Sequence, residues 1–520
     1  MAELLFINDF KLTVQAVLKK VLERSMWICF ITILSIRIYL ELSNLYQPIF
    51  EGYIGRQIPT AMVARGLANG GSFFYPSLQT GPFPSFFLVE PPIYGWLVSL
   101  LYSITGIELN ACGRIVSLVG LIFACIGIWF ITRRYFGLKQ AGLAVLFMVC
   151  WPVTIRFARS FQPDMLAIGI FLLGMSFYET SSRSGKKLAG VFALILLSVA
   201  LAIKITLFPL LLVLPGLNHQ RSKNTTLYQI ALMAVVLIPS VSWYLWAVWI
   251  GTADKSHSIG QSGDGLTFWL KMLGPLALFS KDSLSQIVPN LLWKSFTPFA
   301  IILIPLSTSV MWQNPLIQRW FLGVICWLLL VGAKAHHTYY WLVPAPLIAI
   351  LCASWLADSS CKPLQIKSRT LFALCLISLG FFQSRETWKT PSEWAPIATD
   401  LTVIKNRIES SGPGLLIAHE ASIYAVNTNG LRWEWSDKAQ QRAISAWGST
   451  FRTASPSPQK LLDFYLKQGG RWFLAVESDP EWVSSKSGLE TQLKPSRVVY
   501  QSGGLILYDL LSHPFPEGEP

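Results

Sequence analysis

Long apolar runs separated by short polar loops constrain this chain more than any other feature of its sequence. Eleven runs are of spanning or near-spanning length, at residues 26–43, 113–132, 141–156, 165–180, 188–203, 206–217, 228–250, 293–312, 318–333, 341–357 and 370–383. A helix needs about 20 residues to cross the hydrocarbon core of a bilayer, so several runs must extend into their flanks. The stretch 188–217 could instead form a re-entrant pair. The pattern predicts a polytopic α-helical membrane protein with about 11 transmembrane helices.

The composition agrees with a membrane protein. Hydrophobic residues make up 52% of the chain, charged residues make up 13%, and the mean hydropathy is +0.47, values outside the usual range of soluble domains. The net charge of +14 indicates basic loops beside anionic lipid, and we expect no nucleic-acid partner. Seven of the eight cysteines lie in or beside apolar runs, and no CxxC pair occurs. Neither a disulfide framework nor a zinc site is therefore indicated, and the redox compartment stays open.

The distribution of lysine and arginine predicts the orientation. The segment 1–25 holds four of these residues, and the loops 133–139, 181–187 and 358–369 hold three each. The whole stretch 44–112 holds only two. Because cytoplasmic loops are enriched in lysine and arginine, the N-terminus is predicted to be cytoplasmic. The first apolar run lacks a cleavage pattern, so we expect it to remain as the first span of a multi-pass protein in the cell (inner) membrane.

Three regions follow from this topology. Residues 1–25 have one apolar and one basic face, which predicts an amphipathic helix on the cytoplasmic surface. Residues 26–383 form the predicted transmembrane domain, with a long first outer loop at 44–112. An odd number of spans places 384–520 outside the cytoplasm. Its β-rich runs, such as GLLIAH, RWFLAV and GLILYDL, predict a small C-terminal α/β extracytoplasmic domain.

Four polar motifs come to the outer side of the membrane under this topology. They are FEGYIGRQIPTAMVARGL and FLVEPPIYGWL in the long loop, ARSFQPDML after the third span, and AKAHHTYYWLVP after a late span. Lys204 is predicted at the outer end of its own span. Loops as long as 44–112 are usually functional. The carboxylates Glu51, Glu90 and Asp164 are costly at a membrane boundary unless they pair or face a wet cavity, which favours a functional role.

Each of the other motif residues also has a purely structural interpretation. Arg156 and Arg159 are able to snorkel to the interface. Tyr339 and Tyr340 suit a belt of interfacial aromatic residues. The adjacent His336 and His337 lack the spacing of a helix-borne zinc motif and have no obvious third ligand nearby.

A sugar carried on a phosphate attached to a long isoprenoid chain would use these groups together. The phosphate needs cations such as Arg56, Arg159 or Lys204, because guanidinium and ammonium groups bind phosphate oxygens. A carboxylate, Glu51 or Asp164, would take the proton of the attacking hydroxyl. Phosphate is already a competent leaving group when cations neutralise its charge, so no cofactor is required. A divalent metal is compatible with this chemistry, but no motif indicates one.

At these residues the chain resembles the GT-C superfamily of polyprenyl-phosphate-sugar glycosyltransferases. It is similar to bacterial dolichyl-phosphate-mannose protein mannosyltransferase-like proteins and to the lipid A aminoarabinose transferase, most clearly over residues 45–180. GRQIPTAMVAR is similar to the family's W-R-Q-x-D-T-A-x-x-A-R, with Gly55 in place of Trp and Pro59 in place of Asp. Glu90, Pro92, Tyr94 and Trp96 fit an E-x-P-x-Y-x-W segment. FARSFQPDML and HHTYYWLVPAPL resemble two later elements of the family.

The resemblance implies an inverting transferase that takes a sugar from a polyprenyl-phosphate donor to a lipid, glycan or protein acceptor outside the cytoplasmic membrane. Glu51 and Asp164 are the implied catalytic residues. The implied substrate-binding residues are Arg56, Gln57, Arg65, Glu90, Tyr94, Arg159, Lys204, His336, His337, Tyr339 and Tyr340. Two alternatives stay open: a lipid or sugar transporter or flippase, and, because of Pro59, a non-catalytic relative that binds a lipid-linked glycan.

Overall fold

The computed structural model describes most of the helical part and much of the C-terminal part of the chain. The described residues are 28, 31–50, 54–78, 87–217, 223–253, 273–357, 363–392, 394–410, 415–418, 423–428, 431–434, 458–467, 470–478 and 480–512. Glu51 and the predicted amphipathic helix at 1–25 lie outside them. The roles predicted for both therefore stay predictions.

Helices dominate the first half of the chain. They are α1 (31–43), α2 (Ile54–Ala68), α3 (Ile93–Thr105), α4 (Leu109–Phe136), α5 (Leu138–Cys150), α6 (Pro152–Phe157), α7 (Asp164–Ser184), α8 (Lys187–Ile203), a 3₁₀ segment (Ile205–Val213), α9 (Leu214–Leu217) and α10 (Lys223–Ala253). Helix α7 begins directly after Pro163 and ends at Gly185, whose φ of 66° closes the last turn in the left-handed conformation. Asp164 therefore occupies the first turn of α7.

Glycines allow α4 and α7 to pack with their backbones in contact. A Cβ atom added at Gly120 of α4 would lie 2.6 Å from the backbone of Leu166, and one added at Gly169 of α7 would overlap the carbonyl oxygen of Gly120. Small residues permit this close approach between membrane helices. The start of α7, and with it Asp164, is thereby fixed against α4.

The second half of the helical part is interrupted more often. It comprises α11 (Pro275–Leu278), α12 (Lys281–Pro289), a π segment (Asn290–Ser295), α13 (Pro298–Met311), α14 (Pro315–Val331), two 3₁₀ segments (Gly332–His336 and Thr338–Leu342), α15 (Ala345–Ala357), α16 (Pro363–Ser384) and a further 3₁₀ segment (Arg385–Trp388). The stretch Lys281–Ser295 meets Pro298–Ser307 at a bend of 93°. Such a bend makes the pair either one broken span or a re-entrant loop.

Among the described residues, length and composition identify fewer membrane-crossing helices than the predicted count of about 11. Among the described residues, four helices are long and apolar enough to cross a bilayer, or five if the bent pair counts as one span. Five further apolar helices have only 10–17 residues. Hydropathy locates apolar runs but does not fix helix length: the run 206–217, which contains Pro209, forms a 3₁₀ segment followed by one short α-helical turn. The count of 11 is not confirmed.

The C-terminal segment contains helices around a five-stranded sheet. Its elements are α17 (Ala395–Ser410), β1 (Leu415–Ala418), α18 (Ile423–Asn427), β2 (Leu431–Glu434), α19 (Pro458–Lys467), β3 (Gly470–Val476), α20 (Pro480–Leu493), β4 (Arg497–Ser502), β5 (Leu505–Asp509) and a 3₁₀ turn (Leu510–Ser512). The strand order is β2-β1-β3-β5-β4, with β1 parallel to both neighbours and β5 antiparallel to both of its own. Helices and strands thus occur together in this segment, whereas a separate α/β domain and its extracytoplasmic location stay predictions.

The C-terminal segment packs directly on the helical part. A single apolar cluster extends from the transmembrane helices to Leu401, Ile404 and Tyr424. Lys405 of α17 forms a 3.0 Å ion pair with Glu108 at the start of α4. The segment is therefore in contact with the start of α4.

Candidate functional site

An ion pair joins the start of α7 to the end of α8. Lys204, the residue at which α8 ends, pairs with Oδ1 of Asp164. Asp164 is 3% exposed, and its Oδ2 is buried with no hydrogen-bond partner among the described residues. The carboxylate also lies in the first turn of α7, where backbone N–H groups favour negative charge. One carboxylate oxygen is thus paired, and the other is buried without a hydrogen-bond partner among the described residues.

Two tyrosines line the other side of Lys204. Its Nζ lies 4.8 Å from the ring centroid of Tyr339 and 4.7 Å from that of Tyr340, distances at which a cation is attracted to an aromatic face. The ring of His337 stacks on Tyr339 at 5.3 Å, and the rings of His336 and His337 are 3.8 Å apart. The motif AKAHHTYYWLVP thus brings its histidines and tyrosines to the Asp164–Lys204 pair.

A second ion pair comes from the first outer loop. Arg56 of α2 pairs with Glu90, which lies just before α3, and both side chains are partly buried. Burial lowers the pKa of the Arg56 guanidinium, whereas the Glu90 carboxylate raises it. The net effect is a raised pKa, so the group stays charged. Asp164 and Tyr339 also lie within electrostatic range of Arg56. The two ion pairs are therefore neighbours.

Tyr340 marks the place where these motifs meet. Its hydroxyl lies within electrostatic range of Asp164, Arg56 and Glu90. Residues from α2, the segment before α3, the start of α7, the end of α8 and the late 3₁₀ segment are thus brought together from widely separated positions in the sequence. We call this group, with Lys204, Tyr339, His336 and His337, the polar cluster.

The predicted residues Gln57 and Tyr94 lie behind the polar cluster and are buried. Gln57 Oε1 accepts a hydrogen bond from the backbone N–H of Phe161 at 2.7 Å. The hydroxyl of Tyr94 donates to the carbonyl oxygen of Gly113 at 2.8 Å, and its ring packs edge-on against Phe161. Both side chains hold the loop that leads into Asp164.

The structure places the two remaining predicted arginines apart from the polar cluster. Arg159 is fully buried and donates to the backbone carbonyl of Thr387, to that of Asn44 at 3.2 Å and to Gln47 Oε1 at 2.8 Å. Arg65 is buried and donates to the carbonyl oxygen of Val426 at 2.8 Å. Such contacts are typical of arginines that join segments of a fold. Substrate binding by these two residues stays a prediction without support from the geometry.

Several residues of the neighbourhood were not predicted. Tyr244 of α10 lies within electrostatic range of Glu90, Arg56 and Tyr340. Asn290 of the π segment donates its side-chain amide to the carbonyl oxygen of His336. Asn290 follows a proline between two helical patterns, which is a weak signal for a functional bend. Tyr244 lies within an apolar run rich in aromatic residues and carries no distinguishing signal.

His336 and His337 lie against each other, and His337 stacks on Tyr339. Burial lowers the pKa of His337 to about 4, with further contributions from the charges of His336, Lys204 and Lys334. His337 is therefore neutral at physiological pH. Within the described part of the chain, no group of three His, Cys, Asp or Glu side chains is placed to hold a metal ion.

Comparisons with known proteins agree with the family resemblance that the motifs indicate. The sequence model of the dolichyl-phosphate-mannose-protein mannosyltransferase family matches residues 89–246. Among curated proteins, none matches the chain by sequence. The fold is similar to that of ArnT from Cupriavidus metallidurans bound to undecaprenyl phosphate, with a TM-score of 0.63, 13% identity, and coverage of 93% of this chain and 97% of that one.

Archaeal structures have the same fold. The oligosaccharyltransferase of Archaeoglobus fulgidus in complex with zinc and sulfate gives a TM-score of 0.55 at 13% identity, covering 94% of this chain and 74% of that chain. The same organism's AglB in complex with an inhibitory peptide and a dolichol-phosphate gives 0.51 at 12% identity, covering 92% and 74%. The predicted resemblance is thereby confirmed: by the family match over residues 89–246 and by fold over most of its length, this protein resembles the GT-C glycosyltransferases.

Proposed function

We propose that this protein is an inverting glycosyltransferase that moves a sugar from a polyprenyl-phosphate donor to a lipid, glycan or protein acceptor at the outer face of the cytoplasmic membrane. The observation that carries the proposal is the meeting of two ion pairs, Arg56–Glu90 and Lys204–Asp164, around Tyr340. The fold supports it, because ArnT, which has a similar fold, was solved with undecaprenyl phosphate bound.

Cations of the polar cluster would bind the donor phosphate. The side chains of Lys204 and Arg56 are mostly buried but remain 11% and 18% exposed, and each already faces a carboxylate. An approaching phosphate would either share each cation with its carboxylate or take the place of the carboxylate. The desolvation cost is then smaller than for a cation that has to leave water without an anionic partner. The phosphate leaves with the electron pair of the broken sugar–oxygen bond, and these cations stabilise the charge that it gains.

A carboxylate would activate the acceptor. As the acceptor oxygen forms its bond to the anomeric carbon from the face opposite the phosphate, its proton passes to a carboxylate. Asp164 is our first candidate for this role, a choice supported by the pairing of Oδ1 with Lys204 and by an Oδ2 that has no hydrogen-bond partner among the described residues. Glu51 is the second candidate, on the strength of its position in the first outer loop. Attack from the opposite face inverts the anomeric configuration.

An apolar cavity is available for the isoprenoid chain. It has a volume of about 660 Å³ and lies between the 3₁₀ segment that follows Lys204, α10, the start of α11 and α14. The residues that line it are Phe208, Pro209, Leu211, Leu212, Met233, Leu237, Gly274, Pro275, Cys326, Leu329 and Leu330. Because Lys204 directly precedes this 3₁₀ segment, a donor with its phosphate at Lys204 would have an apolar surface close by for its tail.

Transfer from a panel of radiolabelled polyprenyl-phosphate sugars, by purified protein in proteoliposomes, tests the proposal. We expect Asp164→Asn to reduce transfer by about 10²-fold or more, as loss of a catalytic base does. Glu51→Gln tests the second candidate in the same assay. The exposed Asp282 provides a matched control, and Asp282→Asn should transfer like wild type.

Wild type that binds donor without transferring sugar would indicate a non-catalytic relative, and label moved across the bilayer would indicate a transporter.

A further inference from the structure

The segment that leads into the first outer loop is anchored on the C-terminal segment. We call residues 44–50 the strap; it follows α1 and precedes Glu51 in the sequence. Ile49 and Phe50 of the strap are each 1% exposed. The ring of Phe50 stacks on Trp394, with 5.2 Å between the ring centroids. The strap therefore has a fixed position against the residues that precede α17.

Two buried arginines bind the strap from the helical part. Arg114 of α4 donates to the carbonyl oxygen of Leu45 at 3.1 Å and to that of Pro48 at 3.3 Å. Arg159 donates to the carbonyl oxygen of Asn44 at 3.2 Å. Charge-assisted hydrogen bonds of this kind are stronger than those between neutral groups. They fix the start of the strap.

Asn427 of α18 fixes the end of the strap. Its Oδ1 accepts a hydrogen bond from the backbone N–H of Ile49 at 2.8 Å, and its Nδ2 donates to the carbonyl oxygen of Ile49 at 3.4 Å. One side-chain amide thus pairs with both backbone groups of a single residue. The preceding residue, Val426, accepts a hydrogen bond from Arg65 of α2 at 2.8 Å. Helix α18 therefore binds both the strap, which precedes Glu51 in the sequence, and α2, which follows it.

We infer that Asn427 is a positioning residue for the proposed transfer reaction. It acts through the strap, which precedes Glu51, and its helix also holds α2, whose first turns carry Arg56 and Gln57. The inference rests on the proposed function. Misplacement of a reacting group by about 1 Å is enough to slow an enzymatic step by about 10²-fold. The C-terminal segment thus holds the strap and α2 in position, in addition to any part it has in receiving the acceptor.

Hydrogen exchange and transfer kinetics on the full-length protein test this inference. In Asn427→Leu we expect the amide of Ile49 and peptides covering 44–62 to exchange about tenfold faster or more, because their anchoring bonds are lost. We expect kcat to fall by about tenfold, with the KM for the donor changed less than about twofold, since the donor-binding cations are retained. Tyr500→Phe is the matched control. It removes a 2.5 Å hydrogen bond to Asp400 in the same segment, away from the strap, and neither readout should change.

Three outcomes would overturn the inference. They are unchanged exchange in Asn427→Leu, faster exchange with an unchanged kcat, and the same effects in Tyr500→Phe. If Asn427→Leu does not fold, Asn427→Asp keeps the acceptor for the N–H of Ile49 and removes the donor to its carbonyl; wild-type behaviour in both readouts would then overturn the inference. Wild type without transfer from any donor would defeat the proposed function, while the exchange comparison would still decide whether α18 holds the strap.

Discussion

The ammonium of Lys204 lies 4.7 Å from the ring centroid of Tyr340 while it pairs with Asp164. A carboxylate on one side and an aromatic face on the other restrict where this cation is able to move. Attraction between a cation and a ring is strongest where water is excluded, and Lys204 is largely buried. The arrangement holds a positive charge at the end of α8 in one place, as the proposed binding of a donor phosphate would require.

Replacement of Lys204 by methionine should affect both stability and transfer. Asp164 would be left buried without its cation, and breaking a buried ion pair from one side costs about 3–5 kcal/mol. We therefore expect a lower temperature of unfolding in detergent and loss of transfer by about 10²-fold or more. Thermal unfolding followed by size-exclusion chromatography, together with the proteoliposome transfer assay, measures both effects.

The double variant Lys204→Met/Asp164→Asn is the matched control. It removes both charges, so the unfolding temperature should return towards that of wild type while transfer stays absent. Recovery of transfer in the double variant would show that the pair has only a structural role.

The sequence predicted which motifs meet, but not how their charges pair. Glu90, Asp164 and Lys204 were identifiable because charged groups at a membrane boundary need partners. Arg56 was interpreted as a cation for phosphate, and the structure pairs it with Glu90. That pairing depends on how α2 packs against the start of α3, which hydropathy and motif spacing do not describe.

The residues that hold the motifs in place could not be predicted from the sequence. Arg114 lies within an apolar helix, and Asn427 lies in a short helix of the C-terminal segment. Their partners in the strap are more than 60 and more than 300 residues away in the sequence, respectively. No local pattern records such contacts. The positions of most apolar helices were predictable, because hydropathy is a local property of the sequence. The lengths of these helices were not, because they depend on proline and on packing.

Loss of the Arg56 side chain should weaken donor binding. Arg56→Gln removes one cation of the polar cluster and leaves Glu90 unpaired, so we expect the KM for the donor to rise by about tenfold or more. Arg56→Lys keeps the charge without the planar fork and should recover only part of the affinity. Arg385→Gln is the matched control, because Arg385 forms an exposed pair with Glu386. An unchanged KM in Arg56→Gln would contradict phosphate binding by this residue.

The variant Arg159→Met distinguishes a structural role of Arg159 from a substrate-binding role. Its contacts with Asn44, Gln47 and Thr387 predict that Arg159→Met lowers the unfolding temperature and the yield of folded protein. The protein that does fold should bind donor with a KM within about twofold of wild type, because an intact phosphate site leaves KM unchanged. A KM raised tenfold in protein of normal stability would instead support the phosphate-binding role predicted from the motif.

His337 should make the folded state sensitive to acid. Burial and the neighbouring charges hold its pKa at about 4, below the unfolded value of about 6.5. The unfolded chain then binds more protons, so this contribution to stability is present above pH 6.5 and is lost as the pH falls towards 4. In His337→Gln the unfolding temperature should therefore fall less between pH 7.5 and pH 5.0 than it does in wild type. An identical decrease in both proteins would show that His337 does not carry the effect.

Close packing of α4 and α7 should be as important for activity as the charged groups. A Cβ atom at Gly169 would overlap the carbonyl oxygen of Gly120, so Gly169→Ala has to push the two helices apart or shift α7 along its axis. Because Asp164 lies five residues before Gly169 on α7, the carboxylate would move relative to Lys204. We expect an overpacking penalty of about 1–3 kcal/mol in stability and a fall in kcat of about tenfold or more.

Gly174→Ala provides the control on the same helix. Its added Cβ would meet the side chains of Leu196 and Leu197 of α8 at 3.1–3.2 Å, contacts that small side-chain shifts relieve. Its transfer rate should stay within about twofold of wild type, since a tolerated core change does not displace the site. Equal losses in Gly169→Ala and Gly174→Ala would mean that general packing of α7 matters, and that the close contact with α4 does not specifically place Asp164.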